Sequence, residues 1–306
     1  MSDVFNTGIR PHIDAYLKKK SEEKRDYGDY WSASSGGYCM RLNIMRRLGV
    51  PKVPELEDNA TQTRIFEAGH IFHEWLQRIT KDAGLSIASE VELQDEDLMV
   101  RGHFDDLILV TDSPLNLETV VANEGTPSER ITTVPKQHLI LYDYKTAHSG
   151  SFSFKKLQTG IGHYHKMQLG TYMYMLRKNS LIWNDKTWNK NAYDMKFDAG
   201  MLKELSEARI LSISKDDLRM DEKQLLWSPQ LEKDVYGYWS TLNGYWNNKK
   251  LPACTCAKFD GGFMARRSKK GKIYNDFMYR NPETGIEEPC SLEWYKLFKE
   301  KQNASS

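Results

Sequence analysis

Residues 138–145, His-Leu-Ile-Leu-Tyr-Asp-Tyr-Lys, decide how the rest of the chain is read. The apolar run Leu139–Tyr142 has the length and bounds of a strand, and it ends on an acid and an amine two residues apart. Strand side chains alternate between faces, so Asp143 and Lys145 project from the same one. A carboxylate and an ammonium held side by side on a rigid strand suit metal-assisted hydrolysis. The acid can hold a divalent ion, and the ammonium can orient a water or stabilise charge on a phosphate oxygen. Asp-x-Lys alone is usually a solvated strand edge; its neighbours along the chain give it weight.

Working outward, residues 62–83 read as a helix, with Ile65, Phe66, Gly69, Phe72, Leu76 and Ile79 at helical spacing and Gly84 as C-cap. Strands are expected at about 88–94, 98–110 and 138–145. The last two are separated by a polar stretch around Asn123-Glu124-Gly125-Thr126-Pro127, a long hairpin connection. A helix follows at about 162–178, then a short strand around Ala192–Phe197, and the pattern beyond 200 reads as mostly helical. Ser228-Pro229 is an N-cap and first-turn pair for a helix carrying Val235, Trp239, Leu242 and Trp246. Near the N-terminus a helix runs from about Tyr38 to Gly49, with Pro51 beyond it. The order predicts a mixed α/β layer with a helical surround: an N-terminal helical segment 1–60, a core 61–200 and a C-terminal helical segment 201–306.

Four segments of that core carry polar groups an ordinary core would not choose. His73 lies beside the apolar stripe of the first long helix. Asp105 falls within Arg101-Gly102-His103-Phe104-Asp105, inside a strand that otherwise reads as apolar. Asp143 and Lys145 follow, and then Gln168 and Tyr172, four apart on one helix face with Tyr164 on the preceding turns. Each has a bland reading, as a hydrogen-bonded core histidine, a strand terminus or a half-exposed stripe. Since strand faces alternate, at most one of Asp105 and Asp106 points into a shared cleft.

In that order, Gly69-x-x-x-His73, Gly102-x-Phe104-Asp105, Asp143-Tyr144-Lys145 and Gln168-x-x-x-Tyr172 resemble the successive motifs of RecB-like nucleases of the PD-(D/E)XK superfamily. The resemblance implies a restriction-endonuclease-like mixed β-sheet core flanked by helices. It implies that His73, Asp105 and Asp143 bind a divalent metal with the backbone carbonyl of Tyr144. Lys145 would serve the attacking water, and Gln168 and Tyr172 would support the active site or the DNA strand. The chemistry is coherent on its own terms, because oxygen-ligated Mg²⁺ or Mn²⁺ activates water, neutralises phosphate and stabilises a leaving oxygen. One imidazole with two carboxylates suits Mn²⁺ at least as well as Mg²⁺.

Four cysteines are present: Cys39 near the N-terminus and Cys254, Cys256 and Cys290 near the C-terminus. They resemble the layout of the branch that includes AddB and the CRISPR-associated exonucleases, in which one cysteine before the core and three after it bind a 4Fe-4S cluster. The spacing departs from that pattern, with one residue between Cys254 and Cys256 and 33 between Cys256 and Cys290. A four-thiolate zinc site is the rival, and buried unligated thiols are the third reading. The long gap holds Arg266, Arg267, Lys269, Lys270 and Lys272 among interleaved aromatics, the ingredients of a single-strand groove or else a solvated hairpin. Arg41, beside Cys39, could extend the same basic surface.

At 306 residues and a formal charge of +1, the chain can bury a sizeable core but carries no global field marking a nucleic-acid binder. Its polar start lacks the apolar core of a signal peptide, and no apolar run approaches the ~20 residues of a membrane span, so a cytoplasmic protein without a membrane is expected. The leading expectation is a metal-dependent exonuclease acting on single-stranded DNA or DNA ends in recombination, repair or DNA processing. A DNA-binding recombination adaptor with little activity, or a structured-DNA endonuclease, are the alternatives. Any recombination or replication protein that partners it goes unnamed by these residues.

Overall fold

Strand β8 (Gln137–Ala147) is the middle of the molecule's larger sheet. Leu139, Ile140 and Leu141 are buried in succession, as a central strand covered on both faces requires. The computed structural model describes residues 9–22, 28–48, 60–111, 117–122, 130–135, 137–149, 160–178, 181–182 and 199–252, together with four short strands beyond. No helix among these residues is long and apolar enough to cross a membrane.

The helices are α1 (Arg10–Glu22), α2 (Met40–Arg47), α3 (Ala60–Asp82), α4 (His163–Arg177), α5 (Ala199–Lys203) and α6 (Pro229–Asn247). The strands before β8 are β1 (Trp31–Ser32), β2 (Ser86–Ser89), β3 (Glu92–Asp95), β4 (Val100–His103), β5 (Asp106–Thr111), β6 (Leu117–Ala122) and β7 (Arg130–Pro135). After it come β9 (Leu181–Ile182), β10 (Glu207–Ser214) and β11 (Met220–Leu226). The chain is therefore mixed α/β. Its larger sheet has the order β11-β10-β8-β5-β2, with β8 and β10 parallel and the other pairs antiparallel.

Two compact units divide the chain. One comprises Met1–Trp31, Gly37–Glu67 and Tyr238–Ser306; the other comprises Ser32–Gly36 and Ala68–Gly237. In the second unit α3 covers one face of the larger sheet. Leu76, Tyr144 and Ile213 form a buried cluster there, with Phe72, Trp75, Tyr142 and Leu211 packed against it. Gly84 ends α3 in the left-handed region (φ +71°), and the Leu85 N–H bonds back to the Thr80 carbonyl at 2.9 Å. Helix α4 is buried from Met167 through Leu176, and Gly170 in its middle lets α6 approach: a Cβ there would meet Leu231 Cδ1 and Val235 Cγ2 at 2.9 Å. The expected N-cap is present, with the Leu231 N–H donating to Ser228 Oγ at 3.1 Å.

In the first unit, the Arg47 guanidinium lies 4.3 Å from the ring centroids of both Trp31 and Trp246, which meet edge to face at 5.5 Å. The Trp31 indole N–H donates to Asn243 Oδ1 at 2.7 Å, and Asn43 donates to the Tyr238 hydroxyl at 2.9 Å.

Three expectations need correction. Among the described residues beyond 200 the pattern is not mostly helical, since β10 and β11 complete the larger sheet. Strand β11 exposes alternate residues at the sheet edge, and β10 interleaves partly buried Glu207 and Arg209 with buried apolar positions, which hides both strand patterns. The strand expected over 98–110 is two strands, β4 and β5, and the one over 88–94 is β2 and β3. Both hairpin arms break at the same level, so that β2–β5 (Ser89↔Asp106) belongs to the larger sheet and β3–β4 (Glu92↔His103) to a smaller one with order β1-β4-β3-β9. The polar stretch between β5 and β8 carries the hairpin β6–β7. The strand expected at Ala192–Phe197 lies outside the described residues.

Candidate active site

The double break in the hairpin is the feature that builds the site. At that level the chain leaves one sheet for the other, the Glu90 N–H bonds the Asp105 carbonyl at 3.3 Å, and Glu90 takes a left-handed φ of +53°. Such a conformation is uncommon for a residue with a Cβ and is held by its surroundings. Asp105 therefore sits in a bend between strands, not inside one as the sequence suggested. Gln77, one turn after His73 on α3, braces the break by donating to Glu90 Oε1 at 3.1 Å and to the Asp105 carbonyl at 3.0 Å. With β5 turned away, the Tyr144 N–H of β8 has no ladder partner opposite it and donates to Asp105 Oδ2 at 2.6 Å.

The other carboxylate oxygen, Asp105 Oδ1, lies 3.4 Å from His73 Nδ1. Burial pulls the His73 imidazole down, but the hydrogen bond and charge of Asp105 outweigh it and the net shift is upward, with Lys145 opposing and Asp143 adding. His73, Glu90 and Asp105 each present a ligand atom within 4.8 Å of the others. Among the described residues it is a group of three His, Asp or Glu side chains close enough to share a cation. Asp143 lies outside it, though its charge acts on His73 and the charges of Asp105 and His73 act on it.

Asp143 and Lys145 do share a face of β8. Lys145 Nζ donates to Asp143 Oδ1 at 2.9 Å, and Gln168 Nε2 of α4 donates to the same oxygen at 3.2 Å. Asp143 Oδ2 is buried too and lies 2.8 Å from the same ammonium, an ion pair without an aligned hydrogen bond. Burial pushes the Asp143 carboxyl up, Lys145 opposes the rise and Asp105 adds to it.

Asp106 points elsewhere. It is fully buried and accepts from Ser86 Oγ at 2.5 Å, Thr80 Oγ1 at 2.6 Å and the Tyr144 hydroxyl at 2.8 Å. Tyr172 is buried against Gly102, where a Cβ would lie 3.0 Å from its Cε1. Arg41 of the first unit donates to the Pro252 carbonyl at 3.0 Å. Cys39 is buried at the start of α2. Cys254, Cys256, Cys290, Lys269, Lys270 and Lys272 lie outside the described residues, so a 4Fe-4S or zinc centre has its support in the sequence. Arg266 and Arg267 form a short strand paired with Ile273–Tyr274.

Glu90, Gln77 and Asp106 were not singled out by sequence reasoning as contributors. Gln77 alone carried a signal, four residues after His73 on the same helix face.

His165 of α4 lies near the same centre. Burial first, then the charges of Lys145 and Lys223, pull its imidazole down to about 4. The unfolded value is about 6.5, so between those limits the unfolded chain takes up a proton that the folded chain refuses. Stability is expected to fall as pH drops through that window. Melting temperature followed from about pH 7 to about 4 should decline less steeply in His165→Gln, and equal slopes would place His165 in solvent.

No family model matches the chain, and no curated protein matches it. A solved structure described as the crystal structure of SSO0001 aligns with 81% of this chain and 94% of its own, at 14% identity and a TM-score of 0.41. At that level the likeness carries neither fold nor function over to this chain.

Proposed function

We propose that this chain is a divalent-metal-dependent deoxyribonuclease with a restriction-endonuclease-like core, acting on single-stranded DNA or DNA ends as an exonuclease. The observation that carries the reading is Asp143, a buried carboxylate on a central strand, paired with the Lys145 ammonium across both oxygens and held by Gln168 at Oδ1, with no aligned hydrogen bond at Oδ2. The group His73, Glu90 and Asp105 supplies further ligand atoms of the same chemistry. One imidazole with carboxylates fits Mn²⁺ or Mg²⁺, and His73, Asp105, Asp143 and the Tyr144 carbonyl would hold it, with Glu90 as an additional ligand. A bound divalent ion supplies charge neutralisation for a phosphodiester and lowers the pKa of a water.

The protein's own groups do the positioning. Lys145 is a fixed cation anchored on Asp143, placed to orient a water or to take charge from a phosphate oxygen. Gln168 donates to Asp143 Oδ1 and fixes the carboxylate's orientation, as a residue that would hold the ion requires. Gln77 holds Glu90 and the Asp105 backbone in place, so the ligands need little reorganisation. The test is incubation of purified protein with end-labelled single- and double-stranded DNA in Mg²⁺, Mn²⁺ or EDTA. Short products released with either metal and none with EDTA are expected. Intact DNA in both metals would overturn the reading.

A further inference from the structure

We propose that Asp106 and Tyr144 act as a positioning pair for the metal site, Asp106 holding the Tyr144 ring so that the backbone between Asp143 and Lys145 keeps one orientation. The inference rests on reading His73, Asp105 and Asp143 as ligands of a divalent ion.

Tyr144 is fixed at both ends by consecutive aspartates. Its backbone N–H goes to Asp105 Oδ2 at 2.6 Å, and its hydroxyl goes to Asp106 Oδ2 at 2.8 Å. Its ring stands edge-on to His73, 6.0 Å between centroids and 86° between planes. Two candidate ligands thus touch this one residue, and it stands next in sequence to a third, Asp143. The Tyr144 N–H shares its peptide plane with the Asp143 carbonyl, so turning that peptide breaks the bond to Asp105, and shifting the Tyr144 Cα drags the ring off Asp106.

The cost of the arrangement argues for a role beyond packing. A carboxylate taken wholly out of water loses its hydration, a penalty that must be compensated locally. Here three hydroxyls compensate, from Thr80 on α3, Ser86 on β2 and Tyr144 on β8. An apolar side chain in that volume would avoid the penalty altogether. What Asp106 adds is direction, since it ties the helix bearing His73, the strand beside Glu90 and the strand bearing Asp143 to one atom group.

Calorimetric titration of Mn²⁺ into wild type, Tyr144→Phe, Asp106→Asn and the double variant tests this, with melting temperature measured on each. Tyr144→Phe removes one oxygen and keeps the ring. It is expected to weaken Mn²⁺ binding about tenfold, the lower end of losses seen when a group supporting a metal ligand is removed. The double variant should bind no worse than the weaker single one, because both changes sever the same link. A purely structural role predicts lower melting temperatures with unchanged Mn²⁺ affinity of the folded protein, and that result overturns the proposal. Should Asp106→Asn not fold, Tyr144→Phe decides alone: affinity within twofold of wild type ends the proposal. If wild type itself binds no Mn²⁺, the ligand reading falls and the pair falls with it. If wild type binds Mn²⁺ but cuts no DNA, the nuclease reading fails while the affinity comparison still judges the pair.

Discussion

Asp143→Ala is expected to remove DNA cleavage by a factor on the order of 10³ or more, while DNA binding persists. The substitution deletes the buried carboxylate and strips Lys145 of the partner that fixes it. Asp143→Asn separates the two effects, because it keeps the volume and a Gln168 contact but loses the negative charge that holds a cation. Lys145→Ala should also lose rate, yet retain Mn²⁺ affinity, since the ammonium binds no metal. Cleavage by a gel assay, Mn²⁺ binding by calorimetry and DNA binding by fluorescence anisotropy distinguish these outcomes. Wild-type cleavage by both alanine variants would mean the reaction centre is elsewhere.

Gly102→Ala carries the largest expected effect on stability. A Cβ on Gly102 would lie 2.8 Å from Ala33 Cβ, 3.0 Å from Tyr172 Cε1 and 3.3 Å from the Tyr172 hydroxyl. None of these is the loose end of a flexible chain, so backbone or ring must move. Overpacking of this kind costs roughly 1–3 kcal/mol, and about 2–4 °C of melting temperature per kcal/mol is usual for a unit of this size. Because Tyr172 and Gln168 share a face of α4, displacement of the ring should also loosen the bond to Asp143 and slow cleavage. Ala33→Gly in the Gly102→Ala background should recover part of the loss. A Gly102→Ala protein that melts with wild type would show that the packing of Ala33 and Tyr172 on this strand is wrong.

The parts of this molecule legible in the sequence are those whose causes are local. Leu139–Ile140–Leu141 announces a central strand because every position is covered, and the alternation that follows puts Asp143 and Lys145 together. Gly84 marks the end of α3 because its backbone needs a left-handed φ. Ser228-Pro229 marks the start of α6 by chemistry confined to one turn. The rest depends on partners distant in sequence. Nothing between Phe104 and Asp106 breaks a strand by itself, and the break appears only where the arm bearing Glu90 leaves the sheet at the same level. Glu90 reads as one more charge beside Glu92 until its backbone twist and Gln77 bring it to His73 and Asp105. Strand β10 reads as helical because Glu207 and Arg209 dilute its apolar positions, and only its pairing with β8 and β11 covers the remainder.

That parallel pairing has a consequence for how the protein is made. Asp143 stands opposite Ile210, so one side of β8 finds its neighbour only after some 67 further residues have been synthesised. The antiparallel side, against β5, is available at once. A nascent chain therefore holds Leu139–Tyr142 with one row of backbone donors and acceptors open, a strand edge of the kind that recruits other chains. Non-local closure of this sort is slow, and the acid–lysine strand becomes complete only when β10 docks. A ribosome stalled or a protein cut before residue 207 would release an aggregation-prone fragment and not a weaker version of the whole.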